Sequence, residues 1–340
     1  LMGNTVVWKA SETQIYSASL IMEILMESGL PPGVINLVFV DGATAGEVIF
    51  NHRDFGGIHF TGSTAVFRRI WATIGNNLAK YKSFPRLVGE TGGKDFVVAH
   101  SSAHPKTVAV ALSRAAFEFQ GQKCSAASRA YISKSIWTEV EHNLREDLDS
   151  MKMGSPEDFT NFINAVIDEK SFDKLAAAIE QTKSAQDAKI IIGGKYDKSI
   201  GYFIEPTVIL CDNPQYFSMK EELFGPILSI YVFDDADYDH ILDLVDTTSD
   251  YALTGAIFAH DRETINRASL KLKHAAGNFY INDKPTGAVV DQQPFGGARA
   301  SGTNDKAGSV LNLIRWVSAR TVKENFDPPM DYRYPFMLES

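Results

Sequence analysis

The sequence predicts an α/β protein built on a parallel, doubly wound sheet, and three observations carry that prediction. Short apolar runs of strand length alternate with longer stretches whose apolar residues recur at helical spacing. The alternation persists along most of the chain instead of separating into a block of strands and a block of helices. Rigid turns such as Gly29-Leu-Pro-Pro-Gly33, Glu221-Glu-Leu-Phe-Gly-Pro226 and Gln293-Pro-Phe-Gly-Gly297 punctuate the runs.

The first strand is Thr5-Val-Val-Trp8. Ser11 and Gln14 then form a capping-box pattern, and Ile15, Ala18, Met22 and Leu25 continue at helical spacing. The Gly29–Gly33 turn stops that helix, and Val34–Val40 is the next strand. A short helix covers about 43–50, Gly57–Phe60 is a strand, and a helix follows over about 64–80. Arg86–Gly89 and Asp95–Ala99 are strand-like. A helix over about 104–120 leads into a loop, and a second α/β segment follows over about 129–290. Its strands fall near 129–133, 189–192, 207–210, 227–233 and 254–259, and its helices near 135–150, 169–182 and 236–247. In such folds ligands bind at the carboxyl ends of the strands. The tail opens with a short strand, Thr321-Val-Lys-Glu-Asn-Phe326, and continues as Pro- and Tyr-rich chain of a kind that docks on something.

Composition narrows the function. At 340 residues, 44% hydrophobic and 22% charged, the chain suits about two domains with sizeable cores. No apolar run approaches the roughly 18–20 residues of a membrane span. Net charge is −9 and the 33 Lys and Arg are scattered, which excludes the basic face that nucleic acid demands. Cys124 and Cys211 make no disulfide framework, so a soluble protein of a reducing, intracellular compartment is expected. The first residues carry no signal or transit pattern and start at the edge of a strand, so further chain is expected upstream.

The stretch Phe119-Gln-Gly-Gln-Lys-Cys124-Ser-Ala-Ala-Ser128 sets a cysteine in a loop of small and polar residues. Taken alone it fits either a pocket-facing nucleophile or the commoner inert core cysteine. No Gly-x-Gly-x-x-Gly follows any strand of the first hundred residues. Phe60-Thr-Gly62-Ser63-Thr64 closes a strand and opens a helix, as a phosphate site does and as an ordinary cap also does. Gly92-Gly-Lys94 is no Walker loop, because Val88 stands where its first Gly belongs. His100 and His104 have zinc-helix spacing, but Ser101 replaces the catalytic Glu and Pro105 follows at once, so no metal is expected.

Six collinear blocks resemble the aldehyde dehydrogenase superfamily along essentially the whole chain. They are Trp8-Lys9-Ala-Ser-Glu12, Phe60-Thr-Gly-Ser63, Gly89-Glu90-Thr-Gly-Gly93, Gly121-Gln-Lys-Cys124, Glu222-Leu-Phe224-Gly-Pro226 and Pro294-Phe-Gly-Gly297. The stretches 121–129, Ala276-Gly-Asn-Phe-Tyr-Ile-Asn-Asp-Lys284 and Phe295–Asn304 resemble its L-glutamate γ-semialdehyde branch.

The resemblance implies an NAD-binding domain over 1–92 and a catalytic domain over 93–300. Residues 301–340 would supply a return helix, an oligomerisation strand and a tail. It also implies a homodimer or larger homo-oligomer, in the cytoplasm of a bacterium or the mitochondrial matrix of a eukaryote.

Carried over by position, Cys124 would attack an aldehyde and Glu90 would be the base that lets water cleave the resulting thioester. Lys9 and Glu12 would reach the adenosine ribose of NAD, with Phe60, Gly62 and Ser63 at the pyrophosphate. Glu222 would bind the nicotinamide ribose, and Phe224 would lie near the ring. A carboxylate at Glu12 opposes a 2′-phosphate, which favours NAD over NADP.

Lys123, Ser125 and the backbone of Gly287 and Ala288 would hold the amino-acid end of a small-molecule substrate, and Phe295 its aliphatic stem. Many relatives have Ser where this chain has Ala288, so one hydroxyl contact is lost. The resemblance further implies an upstream Asn as second oxyanion donor and part of an inter-subunit hairpin, both outside these residues. Succinate semialdehyde is the nearest rival substrate; a cofactor-free cysteine hydrolase and a non-catalytic role are rivals of other classes.

Overall fold

The computed structural model describes residues 1–289 and 291–338. In chain order the main elements begin β1 Val6–Lys9, α1 Ile15–Glu27, β2 Ile35–Val38, α2 Gly42–Ile49, β3 Gly57–Thr61, α3 Thr64–Asn76, β4 Arg86–Glu90 and β5 Asp95–Ala99. They continue as α4 Pro105–Phe117, β6 Ala127–Ser133, α5 Lys134–Ser150, α6 Glu169–Lys183, β7 Ala188–Ile192, β8 Thr207–Cys211 and β9 Ile227–Phe233. The last are α7 Tyr238–Thr247, β10 Thr254–Phe258, α8 Arg262–Lys271, β11 Asn278–Ile281 and α9 Val310–Ile314.

Seven strands form the central sheet in the order β11-β10-β5-β6-β9-β8-β7, all parallel except the antiparallel edge strand β7. Its strands are buried on both faces, which is why β5 reads as an unbroken Phe-Val-Val-Ala run rather than an alternation. One face packs on α4 and α5 through Val108, Leu112, Val140 and Leu144. The other packs on α6, α7 and α8 through Phe172, Leu175, Ile241, Val245 and Ile265. The sheet is therefore doubly wound, as expected.

The strands of the first 90 residues pair differently. β1 and β2 form one parallel pair and β3 and β4 another, with no ladder joining them among the described residues. The small core beneath consists of Phe50, Phe55 and Ile74. Much apolar surface stays open on these elements, including Val7, Ile24, Phe39 and Trp71.

Local details depart from expectation for identifiable reasons. The capping box does not form: the Ser11 hydroxyl meets Thr13 Oγ1 at 3.0 Å. The Ser11 carbonyl instead accepts from Gln14 N–H at 2.9 Å, closing a 3₁₀ turn before α1. Helix α8 has a polar sequence that buries only Thr264, Ile265 and Ala268, too few apolar positions to reveal its period. Its start is nonetheless marked by Asp261, whose side chain accepts from Thr264 N–H. Residues 321–326 are not a strand. They are exposed and lie beside no other strand among the described residues, and a strand without a partner leaves its ladder groups unpaired.

Candidate active site

The site forms where the carboxyl ends of β3 and β4 face the amino ends of β5, β6 and β9.

The cysteine loop begins where α4 ends. Three consecutive residues, Phe119, Gln120 and Gly121, take φ of 55°, 57° and 63°. Gly121 is required there: a β-carbon would meet Gly225 O at 2.4 Å and Ala116 O at 2.7 Å. This left-handed turn reverses the chain so that Lys123–Ala126 runs back into β6. Gly121→Ala is expected to cost about 1–3 kcal/mol in stability, read by thermal unfolding. It should also displace the loop and slow reaction of its cysteine.

Cys124 is half-buried on this loop, whereas Cys211 is buried in the core at 2% exposure. Among the described residues the Cys124 main-chain N–H has no carbonyl partner; it lies against the residue's own sulfur, where it opposes the rise of the thiol. Burial pushes the Cys124 thiol up to about 12, and the negative charges of Asp95, Glu90 and Glu222 add to the rise. The sulfur and the Glu90 carboxyl therefore share one electrostatic site.

Glu90 ends β4 and is only 8% exposed. It is fixed through its main chain: its carbonyl accepts from Gly62 N–H at 3.1 Å, and Thr91 N–H donates to Ser301 O at 2.9 Å. Its side chain lies against the Pro294–Gly297 turn, where a β-carbon on Gly296 would stand 3.2 Å from Oε1. The other oxygen, Oε2, is buried with no partner among the described residues. Burial raises the carboxyl to about 7, opposed by the Gly297 N–H and the charge of Lys306. A carboxylate poised there suits a general base.

The residues expected to hold a coenzyme lie on β1, at the start of α3 and in the turn before β9. Lys9 closes β1, half-buried, and Glu12 is exposed in the following turn. Phe60 stacks on Phe67 with centroids 5.6 Å apart. Ser63 caps α3, its Oγ accepting from Val66 N–H at 3.3 Å. Glu222 Oε1 accepts from Gly93 N–H at 2.8 Å, and burial raises this carboxyl too. A β-carbon on Gly92 would meet Glu222 Oε2 at 2.5 Å, so the paired glycines let backbone and carboxylate approach. Phe224 is exposed at φ 60° beside a cleft also lined by Gly93, Gly121, Lys123, Ala126 and Glu222.

On the substrate side, Lys123 Nζ is paired with Glu118 at 3.0 Å, and Ser125 is half-buried next to Cys124. Phe295 is half-buried and held by reciprocal main-chain bonds with Ala307 of 2.8 and 2.9 Å. Gly287 N–H is committed to Lys284 O at 3.0 Å, whereas Ala288 N–H has no carbonyl partner among the described residues.

Four residues of the site escaped sequence reasoning. Lys284 Nζ reaches Glu118 Oε2 at 2.9 Å, so one carboxylate ties two lysines from distant parts of the chain. Lys306 Nζ donates to Gly277 O at 2.7 Å, Gly296 O at 3.0 Å and Asn278 Oδ1 at 3.2 Å, pinning the turn that covers Glu90. Asp95 lies beneath the cysteine loop. Only Asp95 left a sequence signal: it forms, with Lys94, an ionisable pair opening an apolar strand. His100 faces none of these groups; its Nδ1 meets Ser102 Oγ at 2.9 Å.

Known proteins resemble this chain in sequence and in fold. The delta-1-pyrroline-5-carboxylate dehydrogenase of Dictyostelium discoideum is 53% identical over 341 residues, covering 100% of this chain and 61% of that protein. The human mitochondrial enzyme of the same name is 46% identical, covering 99% and 60%. The crystal structure of the Mycobacterium tuberculosis Delta-pyrroline-5-carboxylate dehydrogenase bound with NAD superposes with a TM-score of 0.93 at 53% identity, covering 98% and 61%. A Thermus 1-pyrroline-5-carboxylate dehydrogenase with bound NAD gives 0.86 at 33%, covering 92% and 59%. The chain thus spans about three fifths of the length of the relatives it matches. The sequence model of the Aldehyde dehydrogenase family matches residues 1–322, and the chain belongs to that family.

Proposed function

We propose that this chain oxidises L-glutamate γ-semialdehyde, the open form of 1-pyrroline-5-carboxylate, to L-glutamate with NAD, in the breakdown of proline. The observation that carries the reading is the pairing of a half-buried loop thiol with a carboxyl raised to about 7 in one crevice.

The residues present fit NAD. The amino end of α3 is exposed at Ser63, whose hydroxyl proton stays available while its oxygen caps the helix. Glu222 spends one oxygen on Gly93 and keeps the other for a ribose hydroxyl. Lys9 and Glu12 would hold the adenosine ribose, Phe60 and Gly62 would frame the pyrophosphate, and Phe224 would flank the nicotinamide. Bound there, the coenzyme supplies a hydride acceptor.

The protein's own groups do the rest. The Cys124 thiol, held neutral by burial, gives its proton to solvent as sulfur attacks, which leaves Glu90 free to act as base in the later hydrolysis. A C–S bond forms and the carbonyl oxygen takes the negative charge, facing the Cys124 N–H. Loss of hydride from carbon restores the carbonyl as a thioester on Cys124. Glu90 then removes a proton from water, water oxygen bonds to the acyl carbon, and the C–S bond breaks to return the thiol. Lys123, Ser125 and the Gly287–Ala288 backbone would hold the amino-acid end, with Ala288 N–H the main-chain donor left free. Phe295 would line the stem. A homo-oligomer in the cytoplasm or mitochondrial matrix completes the reading.

The test is an NADH progress curve. Pyrroline-5-carboxylate should support coenzyme reduction with at least tenfold higher kcat/KM than succinate semialdehyde, about 1.4 kcal/mol of discrimination. A preference for the succinate compound would overturn the substrate, and thioester cleavage without NADH would overturn the reaction.

A further inference from the structure

Asp95 opens β5 directly beneath the cysteine loop and is 1% exposed. Its Oδ1 accepts two hydrogen bonds from Thr254, from N–H at 2.5 Å and from Oγ1 at 2.9 Å. Its Oδ2 is buried and has no partner among the described residues. Among the described residues no cation comes within ion-pair distance of it. Lys94 Nζ points to Ser128 O at 3.3 Å, and Arg129 donates to Lys94 O at 2.8 Å and to Tyr131 Oη at 3.2 Å. The Arg129 guanidinium sits instead over the rings of Phe96 and Tyr131.

A buried carboxylate with one bare oxygen and no counter-charge is costly, and such a group keeps its proton. The proton then needs an acceptor. One is at hand: the point where a β-carbon of Gly93 would stand is 2.4 Å from Asp95 Oδ2 and 2.2 Å from the carbonyl oxygen of Cys124. Two oxygens converging on the hydrogen of a glycine repel one another unless one of them donates.

We propose that Asp95 is a positioning residue for the nucleophile: in its neutral form its Oδ2–H donates to the main-chain carbonyl of Cys124, anchoring the loop and keeping a negative charge from beneath the thiol. The inference rests on the reading of Cys124 as nucleophile.

The electrostatics agree with the geometry. Burial holds the Asp95 carboxyl up at about 7, against the Thr254 hydrogen bonds and Arg129, with Glu222 adding to the rise. The titratable groups facing it are Cys124 on the loop, Glu222 before β9, Arg129 on β6, Lys94 just before its own strand and Tyr280 on β11. Ionised Asp95 raises the thiol, so Cys124 should lose reactivity relative to a neutral substitute as pH climbs past 7.

The experiment measures alkylation of Cys124 by iodoacetamide from pH 6 to 9, read on its peptide by mass spectrometry with buried Cys211 as internal control. It compares Glu90→Gln with Glu90→Gln/Asp95→Asn, so that the titration of Glu90 does not overlay the signal. Asparagine keeps an acceptor for Thr254 and a donor for the Cys124 carbonyl. The two proteins should react equally at pH 6, and the double variant should be roughly three- to tenfold faster at pH 9.

A ratio that stays constant across the range would overturn the proposal, whether it is one or some other value. If the double variant does not fold, Glu90→Gln/Thr254→Val replaces it. Removing the hydroxyl donor should move the inflection of the alkylation profile to higher pH, and an unmoved inflection would equally overturn the proposal. Alkylation requires neither coenzyme nor aldehyde, so failure of the dehydrogenase assay would leave this result readable.

Discussion

Replacing Cys124 by alanine is expected to abolish NADH production from pyrroline-5-carboxylate, lowering kcat by roughly 10⁴–10⁶-fold. The size follows from the chemistry. Without sulfur no adduct forms, and without the adduct the aldehyde carbon carries no adjacent oxyanion to expel hydride. Stability should change little, because the residue sits half-buried on a loop rather than in either face of the sheet's core. Coenzyme binding should survive, since none of the groups assigned to it depends on the sulfur. A variant that bound NAD as before and reduced none of it would separate a lost nucleophile from a damaged site. One that kept a tenth of normal turnover would remove Cys124 from the mechanism.

Glu90→Gln should have the second largest effect, roughly 10²–10⁴-fold on steady-state turnover, with a different signature. Glutamine keeps the shape of the side chain and cannot take a proton. Thioester formation should outlast its hydrolysis, giving a burst of about one NADH per active site followed by a stall. The pH dependence has a definite sign. Burial raises the Glu90 carboxyl to about 7, so the basic form grows as pH rises through that value. Hydrolysis in the unmodified protein should therefore increase from pH 6 to 8 and level off above. The residual hydrolysis of Glu90→Gln should lack that inflection. A variant with the same inflection would assign it to another group, of which Glu222 is the first candidate.

The alternation of strands and helices was legible because burial of β5, β9 and β10 on both faces leaves mostly apolar runs, while α5 and α6 keep one polar side. Helix α8 was not, since three buried positions do not make a stripe. The division of the first four strands into two pairs was also hidden: periodicity reports which residues are apolar, not which strands adjoin. Residues 321–326 are not a strand within this chain because strand propensity is a statement about partners, and none lies beside them among the described residues.

Within the site, Cys124 and Glu90 stood out by the small residues around them. Gly89, Gly92, Gly93 and Gly121 each sit where a β-carbon would strike a neighbour, so the motifs record close approaches of backbone. The Glu118–Lys284 and Lys306–Gly277 contacts span long stretches of chain, and no local pattern encodes those. Asp95 is intermediate. A charged pair at the head of a buried strand asks for an explanation, but only the geometry behind Gly93 says what it touches.

The central claim is that one sulfur and one carboxyl act in succession on the same acyl carbon. The direct measurement is acid quenching of Glu90→Gln after mixing with NAD and pyrroline-5-carboxylate, followed by mass analysis of its peptides. The Cys124 peptide should carry the glutamyl acyl group in near-stoichiometric amount, absent from Cys211 and absent when NAD is omitted. An unmodified Cys124 peptide in a sample that has already produced its burst of NADH would contradict the account.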